Sequence, residues 1–124
     1  MNSVAILGAS NDRTKFGNKA VRAFQRAGWR VHPVNPRETA VEGLASFASL
    51  DDLPERVDVL SIYLPPAVTM SLIDDVADAQ PRAIWLNPGT DATEVVEALE
   101  REQIPVIRQC SITAIGFSPA EFPA

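Results

Sequence analysis

Five short apolar runs alternate with stretches of helical periodicity along this chain. The runs cover residues 3–7, 29–34, 57–64, 83–86 and 105–108. Runs of this length with few polar positions are typical of strands that are buried on both faces. Strands that alternate with helices predict a parallel sheet with helices on both faces. Since crossovers are right-handed, the doubly wound, Rossmann-like order is the favoured topology. We therefore expect an α/β fold with a mostly parallel sheet of five to six strands, the sixth being a weak strand at 44–47.

The first helix follows the first strand after a long loop. We expect it to begin near Asn18, which is a good N-cap residue, and to end at Gly28. Three basic residues on this helix recur at helical spacing and predict a stripe that faces solvent: Lys19, Arg22 and Arg26.

Later helix boundaries and the chain length complete the expected organisation. Pro66 is suited to the first position of the second helix, and Asp91 with Glu94 resembles a capping box for a later one. A length of 124 residues fits one domain, and the chain contains no internal repeat or linker. We expect a single domain over residues 1–124, in which residues 112–124 form a tail that wraps the surface.

Composition excludes several classes of protein. The single cysteine, Cys110, excludes an internal disulfide framework and suits a reducing compartment. No apolar run approaches the roughly 20 residues that span a bilayer, and no leader-like segment precedes the first strand. A net charge of −5 argues against a nucleic-acid binder. We expect a cytoplasmic protein with neither membrane nor nucleic acid as partner, while a homodimer or a partner protein stays open.

The charge is distributed unevenly. Residues 1–37 carry seven Lys and Arg against one acid, a local charge of +6, and the remainder carries −11. A basic segment in an acidic protein indicates a local anion site. Once the helical stripe is set aside, three loop cations remain to be explained: Arg13, Lys15 and Arg37.

Candidate site residues follow the strands, because ligands of open α/β sheets bind beyond the carboxyl ends of the strands. These positions read Gly8-Ala9-Ser10, Asn35-Pro36-Arg37, Leu64-Pro65-Pro66, Asn87-Pro88-Gly89-Thr90 and Gln109-Cys110-Ser111. They supply backbone amides, small polar side chains and prolines rather than a pair of carboxylates.

No catalytic or metal-binding pattern accompanies these residues. The one histidine, His32, lies within the second predicted strand, which argues against a Ser-His-Asp triad. Cys110 has no adjacent base, and no metal-ligand spacing occurs. The sequence therefore favours a binding site, with no catalytic residue and no metal.

The first loop indicates a phosphate-bearing ligand. Amides at a helix N-terminus favour phosphate, and Arg13 and Lys15 add charge-assisted contacts. Gly8 is followed by no G-x-G-x-x-G spacing, since the next glycine is Gly17, and this argues against the close helix-to-pyrophosphate packing of an NAD site. Arg37 stands where an NAD site has an acid, so it suits a phosphorylated ribose, as in NADP or coenzyme A (CoA). Arg37 does not separate those two ligands.

Taken together, these motifs resemble those of a known family. They are Gly8-Ala9-Ser10, Lys15-Phe16-Gly17, VHPVNP at 31–36, Asp58, YLPP at 63–66, IWLNPG at 84–89 and Cys110. Their order and spacing over residues 3–111 resemble the small stand-alone CoA-binding proteins of Rossmann fold. The same fold is similar to the N-terminal CoA-binding domain of the succinyl-CoA synthetase alpha subunit.

The resemblance implies a ligand and roles for individual residues. Gly8, Ala9 and Ser10 would wrap the pyrophosphate, with Lys15 near the phosphates, Val34-Asn35-Pro36 near the adenosine, and Pro65, Asn87 and Gly89 along the cleft. With Arg13, Phe16, Gly17 and Arg37, these residues form the expected cofactor-binding set. The implied function is binding of CoA or an acyl-CoA by a domain that is non-catalytic on its own. Two alternatives stay open, a small NADP-dependent oxidoreductase and a nucleotide-responsive regulatory or interaction module.

Overall fold

The computed structural model describes residues 2–124. Its elements are β1 (Ser3–Leu7), α1 (Phe16–Arg26), β2 (Arg30–Val34), β3 (Ala40–Val41), β4 (Leu44–Ala45), β5 (Val59–Ile62), α2 (Pro66–Met70), α3 (Ile73–Ala79), β6 (Ala83–Leu86), α4 (Thr93–Arg101), β7 (Val106–Arg108) and α5 (Ser111–Ala114). Single 3-10 turns cover Leu50–Asp52 and Pro119–Glu121.

Five of the strands form one parallel sheet in the order β2-β1-β5-β6-β7. Counted along the chain, these strands stand in the order 2-1-3-4-5, which is a doubly wound arrangement, so the predicted α/β fold is confirmed. The chain leaves β1 toward one side of the sheet and returns to its other side at β5. The strand order therefore reverses at β1. The weak strand expected at 44–47 is β4, which pairs with β3 in a separate antiparallel ribbon.

Two apolar layers bury the sheet from both faces, because alternate residues of each strand point to opposite sides. On one face, Leu7 and Ile62 pack with residues of α3 and α4, among them Leu99. On the other face, Ile6 packs with Phe24 of α1 and with residues that follow β7. Within residues 2–124, no helix is both long enough and apolar enough to cross a membrane.

Two predicted helix starts are corrected. Helix α1 begins at Phe16, with Lys15 rather than Asn18 at its N-cap. Asn18 is buried, donates a hydrogen bond to the Ser10 carbonyl (2.8 Å) and accepts one from Arg22 Nε (2.8 Å).

The predicted capping box of Asp91 and Glu94 is wrong. Helix α4 begins at Thr93, and its N-cap residue, Ala92, makes no side-chain capping hydrogen bond. The Asp91 carboxylate instead accepts hydrogen bonds from the Arg108 guanidinium at 3.1 Å. In contrast, Pro66 is the first residue of α2, as expected.

Arg22 holds the C-terminal tail on α1. Its Nη1 donates to the Pro123 carbonyl at 2.7 Å, and its Nη2 donates to the carbonyls of Phe122 (3.0 Å) and Arg13 (3.1 Å). Arg22 is therefore not part of a solvent-facing stripe. Phe122 is 1% exposed, and the Arg26 guanidinium lies 4.5 Å from its ring centroid. The tail thus lies across α1 and completes the core on that face.

Candidate functional site

The turn after β1 brings strand and helix into direct contact. Gly8 has φ +94°, and its amide donates to the Val34 carbonyl at 3.2 Å, which joins the ends of β1 and β2. A Cβ on Gly17 would lie 2.3 Å from the Gly8 carbonyl oxygen, so only glycine allows α1 to approach the turn this closely. This contact joins α1 to the turn itself, so the expectation that the glycine spacing disfavours the helix-to-pyrophosphate packing of an NAD site stays a prediction.

The loop between β1 and α1 is held by its own polar groups. The Asp12 amide donates to Ser10 Oγ at 3.0 Å, and Asp12 Oδ1 accepts from the Thr14 hydroxyl at 2.6 Å and the Thr14 amide at 3.0 Å. These hydrogen bonds from Thr14 lower the pKa of Asp12. The Lys15 amide closes the turn by donating to the Asp12 carbonyl at 3.0 Å.

Several backbone amides around this loop have no hydrogen-bond acceptor within residues 2–124, and four of them flank the turn and the start of α1. These four belong to Ala9, Ser10, Phe16 and Gly17. The last two are the first amides of α1, where the helix dipole is positive, and Lys15 directly precedes them. Amide donors, a helix N-terminus and a cation together form an environment that suits an anion.

Two cavities open at the carboxyl ends of the strands, and Gly8 lines both. The first, of about 340 Å³, lies beside β1 and β2 and reaches α2 and α3. Its wall is mainly apolar: Leu7, Val34, Pro36, Leu50, Leu64, Val68 and Leu72. The second, of about 360 Å³, lies on the α1 side and is lined by Lys15, Phe16, Gly17, Tyr63, Asn87, Pro88, Thr90 and Cys110.

The structure brings some of the predicted site residues together and leaves others apart. Around the first cavity it assembles Gly8, Val34, Asn35 and Pro36, and around the second it assembles Gly8, Lys15, Phe16, Gly17 and Asn87. Neither cavity is lined by Ala9, Ser10, Arg13, Arg37, Pro65 or Gly89. Ala9 is buried beneath the turn, and Arg13 lies 3.5 Å from the Glu42 carboxylate.

Asn35 connects the first two strand ends. Its Nδ2 donates to the Ala9 carbonyl at 2.7 Å, while its Oδ1 accepts from the Arg37 amide at 2.8 Å. The side chain thereby fixes the backbone that lines the first cavity, and both of its ends are engaged.

A buried polar network supports the second cavity. Asn87 Nδ2 donates to Ser61 Oγ (2.9 Å) and to the Ile62 carbonyl (2.8 Å), and Asn87 Oδ1 accepts from the Ser111 amide (2.8 Å). Ser111 Oγ in turn lies 2.9 Å from both Ser61 Oγ and the Tyr63 hydroxyl. The Asn87 amide therefore joins the ends of β5 and β6 to the first residue of α5.

Tyr63 is a cavity residue that sequence reasoning missed, because its position at the end of an apolar run favours a plain strand residue. Burial raises the pKa of Tyr63 to about 12. The phenol is neutral at physiological pH, and its hydroxyl lies beside the second cavity within hydrogen-bond distance of Ser111 Oγ.

The histidine lies outside both cavities. His32 Nε2 is 2.8 Å from the Glu55 carboxylate, which also pairs with Arg30 at 2.7 Å. Hydrogen bonds from Arg30 and then His32 lower the pKa of Glu55 to about 2. Within residues 2–124, no group of three or more His, Cys, Asp or Glu side chains could hold a metal ion.

Comparison with known protein families assigns the chain to one of them. Residues 2–116 match the family described as the CoA binding domain. The chain belongs to this family, and the resemblance stated from the motifs is confirmed.

The related sequences include much longer enzymes. The alpha subunit of ADP-forming acetate–CoA ligase II from Pyrococcus furiosus is 28% identical over 116 residues, which are 91% of this chain and 25% of the ligase subunit. ADP-forming acetate–CoA ligase I from Archaeoglobus fulgidus is 25% identical over 115 residues, which are 91% of this chain and 17% of the ligase. The chain spans a quarter or less of the length of these two relatives.

Solved structures, two of them of similar size, share the fold over most of this chain. The cell-free ID.343 protein of Thermus thermophilus is 35% identical with a TM-score of 0.84, and the alignment covers 90% of this chain and 86% of that one. A conserved hypothetical protein of Pyrococcus furiosus is 28% identical with a TM-score of 0.84, and the alignment covers 92% of this chain and 99% of that one. A dinucleotide-forming acetyl-coenzyme A synthetase of Ca. Korarchaeum cryptofilum, in complex with phosphate and ADP, is 25% identical with a TM-score of 0.76. The alignment covers 87% of this chain and 25% of the synthetase chain.

Proposed function

We propose that this member of the CoA binding domain family binds coenzyme A or an acyl-CoA along the carboxyl edge of its sheet and is non-catalytic on its own. The observation that carries the proposal is the set of amides without an acceptor at Ala9, Ser10, Phe16 and Gly17, which flank Lys15 and Gly8, the residue that lines both cavities. CoA has an adenosine end, a pyrophosphate and a pantetheine arm. The chain offers a distinct surface for each of them.

The pyrophosphate would be held by the turn after β1. Amides of Ala9 and Ser10 would donate to it from the strand side, and those of Phe16 and Gly17 from the helix side. Lys15 adds a positive charge, and no carboxylate within residues 2–124 lies within 4.0 Å of its ammonium group. Charge-assisted hydrogen bonds of this kind are about twice as strong as neutral ones.

The adenosine would occupy the first cavity. Its mainly apolar wall suits the faces of a purine, and the backbone at 34–36 borders it. Arg37 follows directly and makes no ion pair within residues 2–124. It would meet the 3′-phosphate of CoA.

The pantetheine arm would enter the second cavity. The arm is long and carries two amides, and the cavity combines apolar surface with the polar side chains of Tyr63 and Thr90. Its free thiol or acyl group would then lie toward the end of β7, where Cys110 lines the wall. Pro65 and Gly89 would border the opening.

The groups that line the two cavities support the proposed non-catalytic role. Among the residues that the structure describes, no histidine and no pair of carboxylates lines either cavity, so none is placed there to exchange protons with a substrate. We propose that residues 1–124 act as one cytoplasmic ligand-binding unit that works with a second copy or with a partner protein. This arrangement is in keeping with the ligase relative, which is itself named as a subunit.

Thermal-shift titration of the purified protein with CoA, acetyl-CoA, NADP and NAD tests the proposal, since a ligand raises the melting temperature according to its concentration relative to Kd. CoA or acetyl-CoA should stabilise the protein more than either dinucleotide. Stabilisation by NADP with no effect of CoA at millimolar concentration would overturn the proposal and favour the oxidoreductase alternative.

Two variants separate the phosphate contacts. Lys15→Ala should weaken the binding of CoA and of dephospho-CoA by the same factor, because both ligands contain the pyrophosphate. Arg37→Ala should instead abolish the difference in affinity between CoA and dephospho-CoA, because only CoA has the 3′-phosphate. Arg101→Ala removes the same charge from the last turn of α4, away from both cavities, and should change neither affinity.

A further inference from the structure

We infer that Asp75 reads the exocyclic amine of the adenine ring and thereby sets the base specificity of the first cavity. The inference rests on the proposed binding of CoA and deepens it, because it names the residue that recognises one part of the ligand.

Asp75 is the one charged residue that lines this cavity among the residues that the structure describes. It lies on α3, one residue before Val76, which anchors that helix in the core. Its carboxylate forms no hydrogen bond and no ion pair within residues 2–124. A half-buried carboxylate without a partner in an apolar wall is an acceptor that a ligand can satisfy.

The other polar side chains of this cavity are already engaged. Asn35 uses both ends of its amide to join the first two strand ends. The Ser49 hydroxyl donates to Asp52 Oδ2 at 3.1 Å. Asp75 therefore offers the strongest uncommitted acceptor in the cavity.

The charges near the cavity also fix a direction for the nucleoside. Arg37 follows Pro36, which lines the cavity after β2, whereas Asp75 lines it from α3. The adenosine of CoA carries its phosphates on the ribose and its amine donor at the far end of the base. With the 3′-phosphate toward Arg37, the amine faces the Asp75 side, where a carboxylate accepts its hydrogen bond.

The test compares CoA with an analogue whose adenine amine is replaced by hydrogen, each titrated calorimetrically into the wild type, Asp75→Leu and Asp74→Leu. Asp74 is exposed, lies on the same helix and lines neither cavity. Both substitutions remove one negative charge, so both change the general attraction for a polyanionic ligand by a similar amount. The ratio of the two affinities, rather than either affinity alone, reports the contact with the amine.

The wild type and Asp74→Leu should prefer CoA over the analogue by about tenfold, as expected for a hydrogen bond to a charged group. Asp75→Leu should bind both ligands with equal affinity. An unchanged preference in Asp75→Leu, or no preference in the wild type, would overturn this inference while the wild type still binds CoA. Failure of the wild type to bind CoA at all would overturn the proposed function as well.

Discussion

Replacing Gly17 by alanine perturbs the contact on which the arrangement of the site depends. The added Cβ would lie 2.3 Å from the Gly8 carbonyl oxygen, whereas ordinary contact begins at 3.4 Å. Because the obstructing atom belongs to the backbone of the turn, no side chain can rotate out of the way. Helix α1 must therefore retreat from the turn by about 1 Å.

Two opposing effects set the size of the change in stability. Overpacking of this kind costs about 1–3 kcal/mol. Alanine has a higher helix propensity than glycine and recovers up to about 1 kcal/mol. A net loss of about 1–2 kcal/mol corresponds to a fall of about 4–8 °C in melting temperature for a domain of this size. Displacement of the Phe16 and Gly17 amides should also lower the affinity for CoA about tenfold or more.

Gly28→Ala is the matched control. Gly28 has φ +84°, and no atom lies within 4 Å of its added Cβ, so alanine introduces backbone strain without a clash. This strain costs about 1–2 kcal/mol. The control should lose comparable stability and keep wild-type affinity for CoA. The account would be refuted if Gly17→Ala kept both the melting temperature and the CoA affinity of the wild type in thermal unfolding and calorimetric titration.

Three further predictions concern the tail, the acid range and the alkaline range. Arg22→Met should lower the free energy of unfolding by about 1–3 kcal/mol in chemical denaturation, because two tail carbonyls lose a charged donor. The released tail should then be cleaved by chymotrypsin after Phe117, whereas the control Lys19→Met should leave the cleavage rate unchanged. Glu55 has a pKa lowered to about 2 against an ordinary 4.5, so the stability of the wild type should fall as the pH drops from 4.5 toward 2. Glu55→Gln should flatten that pH profile of the unfolding free energy, and an equally steep profile would exclude this group as its source. Tyr63, the only tyrosine of the chain, should show tyrosinate absorbance at 295 nm only near pH 12 in the folded protein, and stability should fall as pH rises from 10 toward 12. Titration at pH 10 in the folded state would mean that its hydroxyl is not buried.

The sheet could be predicted from sequence because its determinants are local. Each strand is a continuous apolar run, and the alternation with helices leaves few topologies. The helix starts were misplaced for the opposite reason, because they depend on tertiary contacts. Asn18 has the residue type of a cap, yet its side-chain amide donates to the Ser10 carbonyl in the preceding loop. Asp91 is engaged by Arg108 at the end of β7.

The site could be predicted only in part, for the same physical reason. Gly8, Lys15 and Asn35 follow strands directly, so the rule about carboxyl ends finds them. Asp75 and Leu50 reach the first cavity from segments far along the chain, and no local pattern marks their approach. The role of Asn87 depends on three partners contributed by β5 and by the segment after β7.

The central claim is that the unbonded amides of the first loop bind the pyrophosphate of CoA. Titration of ¹⁵N-labelled protein with CoA, followed by amide chemical shifts, tests it most directly. The account predicts that the amides of Ala9, Ser10, Phe16 and Gly17 shift together at one saturable site, and that dephospho-CoA shifts the same four. Saturable CoA binding that leaves these four amides unshifted would contradict it.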